Sequence, residues 1–400
     1  MAIGNIYGNG TTTATAGANT VVHYYDKAGV KAANEVNVYA QWADSKFMSL
    51  NMGKTFKISK FLHIYDRELT DGSFATKGYL TARNIADVTA GLTAVDGTGA
   101  KLTEGSGATN KRSIKKITME ASFARYGEMV DFTDEVTMFS EDVIQVRYRE
   151  ELGRLANRRA EDLIQLDMLG TTNVMYSGVA TGVGSVGGSA IADGSLDAVD
   201  RISYDLVRKA ARKLVRNRAE KNTSVVEGST KIDTRTINKA FYAIIGPEVK
   251  FDLEALTRGQ TYSTEFAYIP AYKYAGASNL AEGEVGAMHD VRFIESESAV
   301  VYTQQGATVP TSYVGTLSYT GTIGSGAKFD VFPILFPTKG AFATVGLKGY
   351  NKILFNSQSP DKIELTNPFG TNGFFSYTMW YAGIILQPEK LLKVLVAASA

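Results

Sequence analysis

The sequence predicts an α+β protein with mixed sheets. Three observations predict it. Residues 141–169 carry the longest amphipathic helix pattern in the chain. Residues 53–65 and 113–126 alternate apolar and polar side chains with the period of strands. Between the patterned stretches lie long segments of Gly, Thr, Ser and Tyr, the composition of ordered loops braced by contact with something outside the chain.

Residues 1–20 are small and polar and read as an arm. From His23 to Met48 a short amphipathic helix is expected, with Val30, Ala33 and Asn37 on one face and Val36, Tyr39 and Ala40 close to it. In the first strand Phe56, Ile58 and Lys60 alternate against Lys57, Ser59 and Phe61. In the second, Ile117, Met119, Ala121 and Phe123 share a face. The long stretch between them has little apolar patterning, so the pair predicts an extended hairpin projecting from the body. At Gly127 the alternation changes phase and Tyr126, Glu128, Val130 and Phe132 continue on the other parity, which predicts a bulge or bend.

The long helix follows. Ser140 is its expected N-cap, with Glu141 and Asp142 in the first turn, where carboxylates favour the positive end of the dipole. Leu152, Leu155, Ala156, Leu163 and Leu166 form its apolar stripe, widened by Ala160 and Ile164. Glu150–Arg154 and Arg158–Asp162 are i,i+4 pairs on the wet side, and Gly170 ends the helix. Such a span is about 43 Å long at about 1.5 Å per residue, a structural beam.

A second amphipathic helix is expected over 203–222. Leu206, Val207, Ala210, Ala211, Leu214 and Val215 face a core, and Arg208, Lys209, Arg212, Lys213, Arg216 and Arg218 do not. Residues 239–256 read as a strand (Ala243 to Ile245), a turn at Gly246-Pro247 and a short helix. Residues 289–297 and 328–336 are further strands, separated by a Gly/Ser/Thr-rich insertion, about 303–328, that reads as a surface hairpin. The C-terminal segment gives two short strands around Pro388.

Charge and composition exclude several function classes. Lys and Arg total 42 against 41 Asp and Glu, so no global field recruits nucleic acid or an anionic membrane, and any such binding needs a local patch. There is no cysteine, which removes disulfides, thiolate metal sites and thiol nucleophiles and fits a reducing cytoplasm. No basic-then-apolar export signal opens the chain, and no apolar run approaches the roughly 20 residues that span a bilayer. The best candidate, residues 379–397, is interrupted by Gln387, Pro388, Glu389 and Lys390.

The candidate chemical motifs fail on context. Residues 182–187 spell GVGSVG, but a dinucleotide site needs a buried strand before it and a helix opening inside it, and neither flank fits. A loop is expected. Ser113 and Lys116 have the S-x-x-K spacing, yet strand alternation sends them to opposite faces. His23, His63 and His289 are isolated from any second ligand. The acids Glu128, Asp131, Asp134, Glu135, Glu141 and Asp142 divide between a strand, a turn and a helix cap, with no three on one rigid face for a divalent ion. No catalytic, cofactor-binding or metal residue is therefore assigned, no cofactor is expected, and the chain does not read as an enzyme. The basic face of helix 203–222 reads first as solvated or as a salt-bridging contact between subunits, and second as a phosphate contact.

Five blocks carry a resemblance: LTEGSGATNKRSIKKITMEASFARYGEMVDFTDEV (102–136), EELGRLANRRAEDLIQLDMLGTTNVMYSG (150–178), KAARKLVRNRAEKN (209–222), AFYAIIGPEVKFDLEAL (240–256) and GEVGAMHDVRFIESE (283–297). In this order the chain resembles the major capsid proteins of tailed bacteriophages, nearest the short-tailed schitovirus group. The resemblance is densest over 100–300. It implies a Hong Kong 97-like capsid fold: an N-terminal arm (1–50), an extended E-loop (51–125), a P-domain (126–200) with spine helix 141–169, an A-domain (201–373) with the inserted loop, and C-terminal strands (374–400) returning to the P-domain. It also implies a virion protein, assembled in the host bacterial cytoplasm, that forms hexamers and pentamers of an icosahedral head. Its implied partners are further copies of itself, a portal protein, separate scaffolding and decoration proteins where present, and double-stranded DNA held by non-specific contact, with no membrane. A surface-layer or other self-assembling shell protein is the alternative, and would normally carry an export signal.

Overall fold

The computed structural model describes residues 38–61, 85–93, 100–102, 104–105, 114, 116–139, 144–226, 234–256, 268–273, 280–348, 353–363 and 367–400. The first of these segments holds a 3₁₀ turn (Ala40–Trp42), β1 (Asp44–Met48) and β2 (Thr55–Phe61). After α1 (Ile85–Thr93) come β3 (Lys116–Ser122), β4 (Ala124–Thr133), α2 (Asp134–Phe139), the long α3 (Ile144–Leu169) and β5 (Val174–Tyr176). The middle of the chain supplies α4 (Asp197–Asp200), α5 (Tyr204–Arg216), β6 (Asn222–Val226), β7 (Thr234–Ile245), α6 (Pro247–Glu254), β8 (Ile269–Pro270), β9 (Glu284–Met288) and β10 (Val291–Glu295). The last third supplies β11 (Tyr319–Thr320), β12 (Lys328–Phe329), β13 (Phe332–Phe336), β14 (Phe342–Leu347), β15 (Ile353–Gln358), β16 (Asn372–Tyr381), β17 (Gly383–Ile385) and β18 (Leu392–Val396).

The largest sheet runs β5-β18-β13-β7-β10-β9-β8, with β6 also on β7. It is mixed: β10 is parallel to β7 and β18 to β5, and the other pairs are antiparallel. Both faces are covered, which is why Ala240–Ile245 is a continuous apolar run rather than an alternation. Phe241, Ala243 and Ile245 face α5 and pack with Leu206, Ala210, Leu214, Phe293, Ile334 and Val394. Tyr242 and Ile244 face the other way, onto Ile164, Met168 and Leu169 of α3 and onto Tyr39 and Trp42.

A second layer is the three-stranded sheet β15-β16-β4. Along β16 every other residue is buried, and Phe375, Tyr377 and Met379 meet Leu152, Ala156 and Ala160 of α3. The N-terminal half of α3 thus lies on this small sheet and its C-terminal half on the large one. One helix of 26 residues joins two cores. The hairpin β2–β3 is antiparallel in unbroken register from Thr55↔Ser122 to Phe61↔Lys116. Its base packs Phe56, Met119, Ala121 and Phe123 against the third sheet, β1-β14-β17.

Several sequence expectations need correction. Residues 38–48 are a 3₁₀ turn and a strand rather than helix; buried Glu161 of α3 accepts the Tyr39 and Ala40 amides at 2.8 and 3.1 Å and fixes the turn. Residues 1–37 lie outside the described residues, as do Ser140, Glu141 and Asp142. The buried side of α3 is two adjacent i+4 rows laid on the sheets, Leu152, Ala156, Ala160, Ile164, Met168 and Glu161, Gln165, Leu169, whereas Leu166 is 56% exposed. Arg154 pairs with Glu151 at 2.5 Å and Arg159 with Asp162 at 3.6 Å, both i,i+3. No bulge exists at Gly127: β4 and β16 stay in register from Ala124↔Tyr381 to Thr133↔Asn372. The phase change instead falls at Phe123, where the chain leaves partner β2 for partner β16. Gly127 is required by a close approach, since a Cβ there would lie 2.6 Å from the Tyr377 carbonyl oxygen.

Further along, Val215 is exposed rather than in the core of α5. The 303–328 insertion is a surface hairpin only at its end, where β11 and β12 pair antiparallel and Tyr319 and Thr320 are exposed. It folds back, burying Val309, Tyr313, Leu317 and Ala327 with Val186 and Phe329, and the Tyr313 hydroxyl donates to buried Asp197 at 2.8 Å. The C-terminal segment forms three strands, not two. β16 pairs with β4, β17 with β14, and β18 enters the large sheet between β5 and β13.

Candidate assembly surfaces

The acids 128–135 have structural partners. Glu128 faces α3 from β4 and accepts from Arg159 at 3.0 Å, which fastens the helix to the small sheet from its solvent edge. Asp134 and Glu135 are not in a turn; they open α2, and Asp134 accepts the Glu135 amide at 2.9 Å. Asp131 lies on the opposite face of β4 from Glu128, opposite Phe374. Among the described residues no group of three or more His, Asp or Glu is placed to hold a metal ion.

The other motifs fall where chemistry is not served. Residues 182–187 form a loop with a 3₁₀ turn at Val183–Ser185, and no strand-to-helix crossover surrounds it. Lys116 begins β3, and Ser113 lies outside the described residues, as do His23 and His63. His289 occupies the β9–β10 turn with φ +56°, its ring edge-on to Tyr204 at 6.5 Å.

What the surface does offer is ordered apolar side chains with nothing over them. At one end of the small sheet the Asp134 amide donates to the Thr371 carbonyl at 2.9 Å, which sets α2 beside the 367–371 loop. Asn367 builds that loop: its Oδ1 accepts the Thr371 amide at 3.0 Å and its Nδ2 donates to the Asn372 carbonyl at 2.8 Å. On this frame Phe369 is 87% exposed, and Met138 and Phe139 of α2 are exposed too. A monomer that spends backbone order on presenting an uncovered Phe has the signature of a protein–protein contact. Sequence patterning missed these residues because an outward apolar side chain on a short helix or loop has no period. The only signal was an aromatic inside the turn-forming Asn367-Pro368-Phe369-Gly370.

The hairpin is a second such surface. Lys57 and Glu120 pair across it at 2.6 Å, Ser59 meets Thr118 at 3.2 Å, and Phe61 at the outer end is exposed. Lys60 turns back to the body and pairs at 3.1 Å with Glu389, a side chain only 4% exposed. The third surface is the basic face of α5, where Arg208, Lys209, Arg212 and Arg216 point outward from a buried apolar stripe.

Ordered apolar side chains left exposed belong to contacts between proteins, and comparison with known proteins identifies the kind of assembly. The sequence profile of the family described as phage capsid protein matches residues 115–394. The chain belongs to the phage capsid protein family. This capsid protein is similar to the major capsid protein of Pseudomonas phage KPP21, with 26% identity over 389 residues, 95% of this chain and 93% of that one. Among solved structures it is similar to the capsid of Ralstonia phage GP4, with a TM-score of 0.56 and 11% identity covering 98% of each chain. It is also similar to the head of Helicobacter pylori bacteriophage KHP40, with a TM-score of 0.52 and 9% identity covering 94% of this chain and 95% of that one. The mixed helix-and-sheet architecture is therefore the capsid fold, and the protein is a component of the virion shell, from a family of structural proteins rather than enzymes.

Proposed function

We propose that this chain is the major capsid subunit of a tailed phage, which self-assembles as hexamers and pentamers into an icosahedral head around double-stranded DNA. The observation that carries the reading is the correspondence, over 95% of the chain, with a protein that is itself a major capsid protein. The geometry supports it. Hairpin β2–β3 lies at the base of the proposed E-loop (51–125), following the arm (1–50). Helix α3 is the spine of the proposed P-domain (126–200), α5 and strands β6–β10 and β13 of the large sheet belong to the A-domain (201–373), and of the C-terminal strands β16 returns to β4 beside the spine whereas β18 enters the large sheet. This is the Hong Kong 97-like plan, in the schitovirus manner. Copies of the chain are the main partners, obligate contacts in such assemblies often exceeding about 2,000 Å². A portal protein, a separate scaffold and decoration proteins are further partners in this reading, and assembly takes place in the host bacterial cytoplasm.

Electron microscopy of the purified, overexpressed chain tests the proposal. Closed shells or ring-shaped capsomers are expected. Flat sheets, or discrete small oligomers at every concentration, would overturn it.

A further inference from the structure

We propose that the outward face of α5 binds the phosphodiester backbone of duplex DNA. The inference deepens the shell reading above and rests on it: it assigns the contact with the packaged molecule to named side chains and turns this face of the large sheet toward the lumen.

The face is dominated by charge, with Val215 as its one large exposed apolar side chain. Ser203 caps α5 by accepting the Leu206 amide at 3.2 Å, and Leu206, Val207, Ala210, Ala211 and Leu214 lock the other side into the core. The helix is therefore held rigidly with Arg208, Lys209, Arg212 and Arg216 exposed. Beside them the β9–β10 turn raises His289 and Asp290, and the two elements enclose an open groove of about 520 Å³ lined by Arg208, Lys209 and Arg212. Local acids do not neutralise it. Asp205 stands 3.7 Å from Arg208 and 4.0 Å from Lys209, loose contacts for one carboxylate shared by two cations. Asp290 pairs with Lys221 at 3.2 Å. Among the described residues Arg212 and Arg216 have no ion pair.

Helix stability accounts for only part of this. Cations in the last turn favour the negative end of the dipole, which covers Lys213 and Arg216. It does not reach Arg212 or Arg208, one and two turns before Arg216. Arg208 is instead oriented over the Tyr204 ring, 5.6 Å from its centroid, which holds the guanidinium without neutralising it.

The spacing selects the occupant. Arg208, Arg212 and Arg216 advance about 6 Å per step along the helix. Two nucleotides of one DNA strand advance about 6.8 Å, so a row of guanidinium forks can meet alternate phosphates, groups that arginine binds in a bidentate manner. A second copy of the chain is a poorer match. With a net charge of only +1, the protein has no pervasive acidic field to offer this row.

The test uses the purified full chain, kept dilute as unassembled subunits, with fluorescent random-sequence duplex DNA titrated at rising NaCl. Wild type should show log affinity falling linearly with log salt. R212E/R216E should bind more weakly, with the slope reduced by about 1.8, or about 0.9 for each phosphate that is no longer neutralised. R212K/R216K should keep the wild-type slope, because charge and not fork geometry sets it. Should the charge reversal fail to fold, R212Q/R216Q replaces it with the same expected loss. Unchanged affinity and slope would overturn the inference. So would variants that bind DNA normally but no longer form shells in electron micrographs, because the face would then be a contact between copies. Absence of shells from the wild type would instead count against the shell reading, independently of the DNA titration.

Discussion

The Tyr381 hydroxyl donates to Asp167 Oδ2 at 2.7 Å, tying the end of β16 to the C-terminal half of α3 at the junction of the two sheets. Burial pushes the Asp167 carboxyl above its ordinary value of 3.8, and the bond from Tyr381 only partly offsets that rise. A carboxyl whose folded value is raised binds its proton more tightly in the folded chain. Its favourable contribution is present at and below pH 3.8 and is lost as pH climbs through the folded value. Asp167→Asn keeps an acceptor for Tyr381 and removes the buried charge. It should raise the thermal midpoint by a few degrees at about pH 7 and change it little at about pH 4, as followed by circular dichroism.

Gly383 lies against the same pair. A Cβ there would press on Asp167 Oδ2 and stand 2.6 Å from the Tyr381 hydroxyl. Gly383→Ala must therefore displace a hydrogen-bonded pair rather than fill a void, at a cost of about 1–3 kcal/mol. Urea unfolding should show a lower midpoint with an unchanged slope. An unaltered midpoint would mean that the junction yields freely.

How much of this was legible in the sequence depended on how each element meets its neighbours. Helix α5 was visible because it buries a whole face in a single environment, so period alone located the Leu206–Leu214 stripe, whereas Ala243–Ile245 was visible only as part of an unbroken apolar run, since β7 is covered on both faces. Period misled where one element serves two environments. In α3 the ridge Leu152–Met168 crosses two sheets, and Leu166, close to that stripe, ends outside. Tyr39 and Trp42 are spaced as in a helix, but the carboxylate of Glu161, distant in sequence, fixes a tighter turn there. The phase change was real but misplaced, because a strand that exchanges partners at Phe123 looks, from one chain alone, like a bulge near the next glycine. The apolar tip left no pattern, since outward side chains obey the partner and not the subunit.

The ion pair Lys60–Glu389 is asymmetric, and its two ends should not be equivalent to mutation. Lys60 is 22% exposed and Glu389 4%. Removing the lysine leaves a carboxylate buried, with half-buried Lys390 close enough to interact with it. Removing the acid leaves an amine that can reach water. Lys60→Ala should destabilise by about 2 kcal/mol and Glu389→Gln by about 1 kcal/mol, measured by chemical denaturation at low salt. Equal costs would show that the hairpin repositions to solvate Glu389.

Phe369 tests the tip. Its side chain is 87% exposed, so Phe369→Asp removes almost no intramolecular packing and should shift subunit stability by less than about 0.5 kcal/mol. In the shell the same change would place an unpaired charge in an apolar contact, where like and unpaired groups act strongly against association. Soluble subunits with a wild-type melting curve and few or no shells by sedimentation are expected. Normal yields of shells would remove the tip from the assembly contacts.

The hairpin offers the sharpest separation of folding from assembly. Its base, Phe56, Met119, Ala121 and Phe123, is packed on the third sheet, and the register β2–β3 is complete as far as Phe61↔Lys116. Residues 66–110 lie beyond that register, so replacing them with a short Gly/Ser turn leaves every packed residue of the base in place. Closing a shorter loop changes the chain-entropy cost only slowly with length, so the deleted chain should fold with a cooperative transition near that of wild type. It should fail to form shells, because the deleted segment is the part proposed to lie across neighbouring subunits. Shells of normal size from this variant would reject the E-loop assignment. A chain that does not fold would show instead that the segment belongs to the subunit's own core.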